Sequence, residues 1–159
     1  MQKMIHEVLL EVKNTKEKNT KIEILRKNFT PGLREVIKYA YSPNLKFFTN
    51  QVPKYKADHA PEGMNFNSLF NECKRFYILT EMQVEQALSG KITNIKRKNE
   101  ILIQILENIH PKEAEVLSHM ITGDFADFYG ISKTLIKETF PNIIGKWFMK
   151  NLNKFNDKN

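Results

Sequence analysis

Apolar residues recur every three or four positions along most of the chain, which is the spacing of a helix with one buried face. The first such stretches cover residues 4–12, 22–29 and 33–41. Thr30 followed by Pro31 is a typical start for the third of these helices. No stretch alternates apolar and polar residues over the length of a strand. The pattern therefore predicts an all-α protein, a compact bundle of about seven short helices.

The middle of the chain predicts two more helices and one long loop. A broad apolar face begins at residue 69 and could continue to Leu88, and residues 101–109 form the most apolar helix, which we expect to be central. Between them and the first helices, residues 49–66 contain two prolines and a glycine and show no period. A loop of this length in a compact domain is often functional or mobile.

The segment from residue 115 to residue 144 predicts a helix, a connection and a last helix. Gly123 can end the first helix in the left-handed region, Gly130 permits a sharp turn, and Ser132 can cap the last helix. Two lysines follow this cap: Lys133 and Lys137. Free N–H groups at a helix start beside two ammonium groups suit a phosphate. An ordinary capped helix pair is the simpler alternative.

Length and charge narrow the class of protein. A chain of 159 residues is sufficient for one domain, which we assign to residues 1–144, with residues 145–159 as a basic aromatic C-terminal tail or a last helix. The 25 Lys and Arg residues exceed the 18 Asp and Glu residues, so the chain carries a net charge of +7 and favours a polyanionic partner. No signal peptide or membrane-spanning run is predicted, so we expect a cytoplasmic protein.

Catalytic and metal-binding motifs are not evident. Cys73 is the only cysteine and lies on an apolar helical face, and the four histidines lack metal-ligand spacing. Lys56-Ala57-Asp58-His59 lacks the glycine of the Lys-x-Asp-Gly motif of covalent nucleotidyltransferases. We therefore expect a protein that is not an enzyme and has neither a metal nor a cofactor.

Three basic clusters lie at predicted helix ends, where proteins commonly contact phosphates. The first surrounds the first helix connection and contains Lys13, Lys16, Lys18 and Lys21. The second precedes the central helix and contains Lys91, Lys96, Arg97 and Lys98. Lys133 and Lys137 form the third. Each cluster could equally be a solvated face, which is the usual role of a charge run.

Several segments in the same order carry a resemblance to a known domain. They are residues 5–12, Thr15-Lys-Glu-Lys, Ile24-Leu-Arg-Lys-Asn, residues 33–42, Gly130-Ile-Ser-Lys and Phe140-Pro-Asn-Ile-Ile. Together they resemble the N-terminal helical DNA-binding domain of bacteriophage-type ATP-dependent DNA ligases, and small stand-alone phage proteins of the same plan. The resemblance covers about residues 4–144, and the order and spacing of the segments carry it rather than any single motif.

The resemblance implies a function in DNA binding. In ligases this domain lies across the minor groove and contacts the backbone on both sides of a nick, largely without reading sequence. Carried over, Ser132 and Lys133, and more loosely Lys16 and Lys18, become backbone contacts. Two carboxylates stand where ligases often have an arginine, Asp124 and Asp127, and we expect them to repel a phosphate. The resemblance covers the DNA-binding domain alone, so it implies no ligase activity.

The leading hypothesis is a non-catalytic protein that binds the phosphates of duplex or nicked DNA, as an accessory factor in phage replication or repair. Its site residues would be Lys16, Lys18, Lys91, Lys96, Arg97, Lys98, Ser132, Lys133 and Lys137. If the protein is phage-encoded, it would act in the host cytoplasm without a membrane. The alternative is a protein-interaction module of a phage that engages a host or replication protein through residues 49–66 or 145–159.

Overall fold

The chain folds as a helical bundle, as the hydrophobic pattern predicts. The computed structural model describes residues 3–43, 45–61, 64–81 and 95–141. Over these ranges there are eight α-helices, one 3₁₀ helix and no β-strand. The helices are α1 (Ile5–Lys13), α2 (Lys18–Lys27), α3 (Pro31–Tyr41), α4 (Leu69–Glu72), the 3₁₀ helix (Cys73–Leu79), α5 (Ile95–Asn108), α6 (Pro111–Thr122), α7 (Phe125–Tyr129) and α8 (Lys133–Thr139).

One hydrophobic core joins these elements. Helix α1 packs against α2, α6 and α7, while α3 packs against α4, the 3₁₀ helix and α6. Helix α5 lies on α6 and the 3₁₀ helix, and it buries Leu102, Ile105 and Leu106 completely. Helix α8 packs against α2. Cys73 is buried in the same core, in agreement with the sequence.

The predicted helix ends are confirmed in detail. The Thr30 side chain caps α3. Its hydroxyl accepts a hydrogen bond from the Leu33 N–H at 3.2 Å. Gly123 ends α6 with φ of 85°, and Gly130 ends α7 with φ of 65°. Because glycine adopts this left-handed conformation without the steric penalty that a Cβ introduces, both residues turn the chain sharply at the two ends of α7.

Two local predictions are wrong. The helix expected over residues 69–80 is α-helical only as far as Glu72, becomes 3₁₀ and ends at Leu79, because Thr80 is extended and forms an antiparallel bridge with Phe47. The continuation to Leu88 falls outside the described residues. The connection expected after Gly123 instead forms a helix, α7, over Phe125–Tyr129.

The loop at residues 49–66 forms neither helix nor strand over its described part and is fastened to the end of α5. The Lys56 N–H donates to the Glu107 carboxylate at 2.7 Å, and the Asn67 N–H donates to the Asn108 carbonyl at 2.8 Å. The C-terminal tail at residues 145–159 lies outside the described residues. No helix in the described part of the chain is both long and apolar enough to cross a membrane.

Candidate nucleic-acid interface

The connection between α1 and α2 and the turn between α7 and α8 meet in space, although more than 100 residues separate them. The start of α2 lies against the turn between α7 and α8, and an open groove of about 490 Å³ forms between them. Its lining residues are Lys16, Lys18, Lys21, Ala126, Asp127, Gly130, Ser132, Thr134 and Leu135. Two of the predicted phosphate-contact regions therefore form one surface.

Side chains of α2 form hydrogen bonds and an ion pair with α8 and with the turn before it, and these contacts join the two walls of the groove. The Lys21 ammonium donates to the Gly130 carbonyl at 2.8 Å, and Lys18 pairs with the Glu138 carboxylate at 2.7 Å. Further along α2, the Arg26 guanidinium donates to the carbonyls of Thr139 at 3.0 Å and Glu138 at 3.2 Å. Arg26 thus binds carbonyls at the C-terminal end of α8, where a cation is favoured.

The turn that forms the second wall is fixed by hydrogen bonds on both sides. The Tyr41 hydroxyl donates to the Ile131 carbonyl at 2.5 Å. Burial raises the pKa of Tyr41 well above its usual value, so this hydroxyl remains a proton donor across the physiological range. The Ser132 hydroxyl accepts from the Leu135 N–H at 3.1 Å. The turn is therefore held in place before any ligand arrives.

The predicted phosphate site at the start of the last helix requires a correction. Helix α8 has only seven residues, and Ser132 itself occupies the N–H group of Leu135. That N–H group is consequently not available to an anion. The principal cationic groups of the groove are the ammonium groups of Lys16, Lys18 and Lys21, which lie at and just before the start of α2 and form the wall that we call the α2 wall.

The two carboxylates expected to repel a phosphate have different positions. Asp124 accepts hydrogen bonds from Thr122 at 2.6 Å and pairs with His119 at 2.8 Å, and it does not line the groove. These hydrogen bonds hold the pKa of Asp124 below its usual value. Asp127 does line the groove. The expected repulsion therefore applies to Asp127 alone.

Comparison with family models gives a match, over residues 8–127, to a family of unknown function named DUF6433. The match extends over most of the 159 residues. The chain belongs to the DUF6433 family. Comparison with curated proteins and with solved structures gives no match. The DUF6433 match includes the α2 wall of the groove and Asp127, and it ends before Ser132.

The second basic cluster of this DUF6433 protein does not contribute to the groove. The prediction that Lys98 belongs to the site is wrong. Lys98 is only 4% exposed, and its ammonium donates a hydrogen bond to the Thr80 carbonyl at 2.5 Å inside the protein. Lys96 and Arg97 are exposed in the first turn of α5, and Arg97 pairs with Glu100 at 3.2 Å. Lys91 lies outside the described residues. No described residue of α5 lines the groove.

The third cluster does not line the groove. Lys133 and Lys137 are exposed on α8, but neither lines the groove, whereas Ser132 and Thr134 do. Lys13, from the first cluster, is also directed elsewhere, since its ammonium lies 3.4 Å from the centre of the Phe128 ring. The structure therefore brings together Lys16, Lys18 and Ser132 from the predicted site and adds Lys21 to them.

Sequence reasoning did not identify the residues that hold the groove in shape. Arg26, Tyr41 and Glu138 contact partners about 90 to 120 positions away in the chain, and no local motif marks such contacts. Lys21 is the exception. It follows Lys18 by three positions, which places both side chains on one face of α2.

A second concavity, of about 560 Å³, lies between α3, the residues around Phe47 and the end of α6. Its walls combine aromatic rings with one lysine and one glutamate: Tyr39, Phe47, Phe48, Lys46 and Glu81. Because a single cation faces a single anion there, this concavity lacks the excess positive charge that a polyanion needs. Among the described residues, no three His, Cys, Asp or Glu side chains are placed to share a metal ion.

Proposed function

We propose that this DUF6433 protein binds the phosphate backbone of DNA in the groove between α2 and α8, without catalysis and without reading base sequence. The observation that carries the proposal is the meeting of Lys16, Lys18 and Lys21 with the Gly130–Ser132 turn in one preformed groove. Ammonium groups bind phosphates as point charges, and phosphate contacts carry no sequence information.

Two lysines of the groove, Lys16 and Lys18, can bind a phosphate without the loss of a strong contact. Lys16 is exposed and pairs with no described carboxylate. The Lys18–Glu138 pair is also exposed on both sides. Such surface pairs contribute only about 0 to 1 kcal/mol. Releasing Lys18 to a phosphate is therefore inexpensive in free energy.

The resemblance to the ligase DNA-binding domain supports the same surface. The segments that carry it include Thr15–Lys18 on one wall and Gly130–Lys133 on the other, and these walls are adjacent in the fold. An accessory role in phage replication or repair follows from that resemblance. We propose no enzymatic activity, because the resemblance covers a binding domain alone.

A DNA titration at two salt concentrations tests the proposal. Binding through phosphates predicts that log K falls linearly with log salt concentration, with a slope of about −0.9 for each phosphate neutralised. Nicked, intact and single-stranded DNA of one sequence should be compared in the same series. A preference for the nicked duplex would support the ligase-like mode of binding, and equal affinity for unrelated sequences would support backbone recognition.

A protein-interaction module is the second candidate, and one observation favours it. In the loop at residues 49–66, Met64 is 71% exposed and Phe66 is 84% exposed. Large apolar side chains are usually buried. The salt titration separates the two candidates. If no DNA binds at about 50 mM salt, where phosphate contacts are strongest, the DNA proposal is wrong and the exposed loop becomes the leading site.

A further inference from the structure

Three of the six polar side chains that line the α2–α8 groove already have a partner within the protein. Lys21 is bonded to the Gly130 carbonyl, Lys18 is paired with Glu138, and the Ser132 hydroxyl accepts from the Leu135 N–H. These contacts explain why the three residues face the groove, since each one holds a wall in place. They give no information about the ligand.

Three lining residues are not explained in this way. Lys16, Asp127 and Thr134 are exposed, and none of their side chains forms a hydrogen bond or ion pair with another described residue. In particular, Lys16 and Asp127 do not pair with each other, although both line one groove. The groove therefore presents a separate ammonium, carboxylate and hydroxyl to a ligand.

Asp127 is the informative member of this set. An ionised carboxylate only accepts hydrogen bonds, and it repels a phosphate. The neighbouring Asp124 shows how such a charge is used for folding, since Thr122 and His119 bond to it. Asp127 has no such partners among the described residues. A ligand that complements the whole groove must supply an anion for Lys16 and a hydrogen-bond donor for Asp127.

Resting on the proposed function, we propose that Asp127 accepts a hydrogen bond from a sugar hydroxyl adjacent to a phosphate bound by Lys16. Within a continuous DNA strand, the sugar carries no hydroxyl group and thus offers no such donor. A ribose offers its 2′-hydroxyl, and a strand end offers a 3′-hydroxyl. The groove therefore selects a strand with a free sugar hydroxyl over an uninterrupted DNA strand, and Asp127 sets this preference.

Two pairs of ligands that differ by one hydroxyl group test the proposal. One pair is an RNA–DNA hybrid duplex and the same hybrid with a 2′-O-methyl RNA strand, which removes the donor and keeps an A-like helix. The other is a nicked DNA duplex with a 3′-hydroxyl at the nick and the same duplex with a 3′-hydrogen at the nick. All four are titrated with EDTA present, against the wild-type protein, Asp127→Ala and Asp127→Asn.

The wild-type protein should bind the hydroxyl-bearing member of at least one pair about ten- to a hundredfold more tightly, as expected for one hydrogen bond to a charged group. Asp127→Ala should bind both members equally, and more tightly overall, because the repulsion is gone. Asp127→Asn retains an acceptor oxygen and should keep part of the preference. The pair that shows the effect identifies the ribose or the strand end as the source.

Three results would overturn the inference. Equal affinity of the wild-type protein for both members of each pair would show that no hydroxyl is recognised. An unchanged preference in Asp127→Ala would assign the recognition to another residue. A preference that appears only when Mg²⁺ replaces EDTA would show that Asp127 acts through a cation. If none of the four duplexes binds at about 50 mM salt, the proposed function itself fails and this inference fails with it.

Discussion

The α1–α6 contact and the α2–α8 groove both place a carboxylate between two helices, but the surroundings differ. Glu113, in the first turn of α6, is completely buried, and its carboxylate accepts the His6 N–H of α1 at 2.9 Å. Asp127 is exposed in the groove and has no described partner. Burying a carboxyl group destabilises the fold unless the protein itself bonds to it, whereas an exposed carboxyl group can remain available to a ligand.

This difference assigns separate tasks to the two regions. Glu113 joins the starts of two helices, since it lies in the first turn of α6 and bonds to the backbone of α1. The rings of His6 and His110 also stack, with their centroids 4.9 Å apart. The α1–α6 contact therefore serves stability, whereas our proposal assigns binding to the groove. Changes in the two regions should affect different measurements.

The largest effect on stability should come from Glu113→Ala. It leaves the buried His6 N–H without its acceptor and opens a cavity, so the free energy of unfolding should fall by about 2–4 kcal/mol. Urea unfolding measures this change. Glu115→Ala, two positions along the same helix, removes an exposed carboxylate and is the control. It should change the free energy of unfolding by about 0.5 kcal/mol at most. Equal losses in both variants would contradict the role given to Glu113.

A smaller effect is expected from two glycine substitutions that separate strain from binding. Gly130→Ala and Gly123→Ala each place a Cβ at positive φ. Each should therefore lower the free energy of unfolding by about 1 kcal/mol. At Gly130 the new Cβ would lie 3.3 Å from the Lys21 ammonium, whereas at Gly123 no atom lies within 4 Å. Only Gly130→Ala should therefore weaken DNA binding. Equal losses of DNA affinity in Gly130→Ala and Gly123→Ala would show that DNA binding does not depend on the position of Lys21.

The smallest effect is a pH-dependent change in stability. It compares Asp124, which precedes α7, with Asp127, which lies within α7. Asp124 has a lowered pKa in the folded protein. Its stabilising contribution is thus present above the pKa of the unfolded chain, about 4, and is lost as pH falls through the folded value. The melting-temperature difference between the wild-type protein and Asp124→Asn should therefore shrink between about pH 7 and about pH 3. Asp127→Asn, which removes no such hydrogen bonds, serves as the control. A difference that stays constant with pH would contradict the role of Asp124.

The sequence predicts local features of this fold well, since local chemistry determines them. The caps at Thr30 and Ser132 and the turns at Gly123 and Gly130 need only the geometry of a few neighbouring residues. The end of the 3₁₀ helix at Leu79 was not predictable in this way, because it depends on Thr80 pairing with Phe47, 33 positions earlier. Pairing partners at such distances leave no periodic signal.

The candidate site shows the same division. Lys16 and Lys18 could be predicted as a basic cluster, and Ser132 as a cap, but not the contact that makes them one surface. Lys98 shows the converse error, because its place in a charge run suggested exposure and the fold instead buries its ammonium against the Thr80 carbonyl. Charge in a sequence indicates which ligands are compatible, and only packing decides which charges face them.

The central claim is that the α2–α8 groove binds phosphates, and the salt dependence of DNA binding by Lys16→Glu tests it most directly. Lys74→Glu is the matched control, because Lys74 is also exposed but lies on the 3₁₀ helix and outside the groove. Lys16→Glu should lower the affinity for duplex DNA and flatten the slope of log K against log salt by about 0.9, the loss of one phosphate contact, while Lys74→Glu changes the slope much less. The same change in slope for both variants would show that net charge, and not the groove, determines binding.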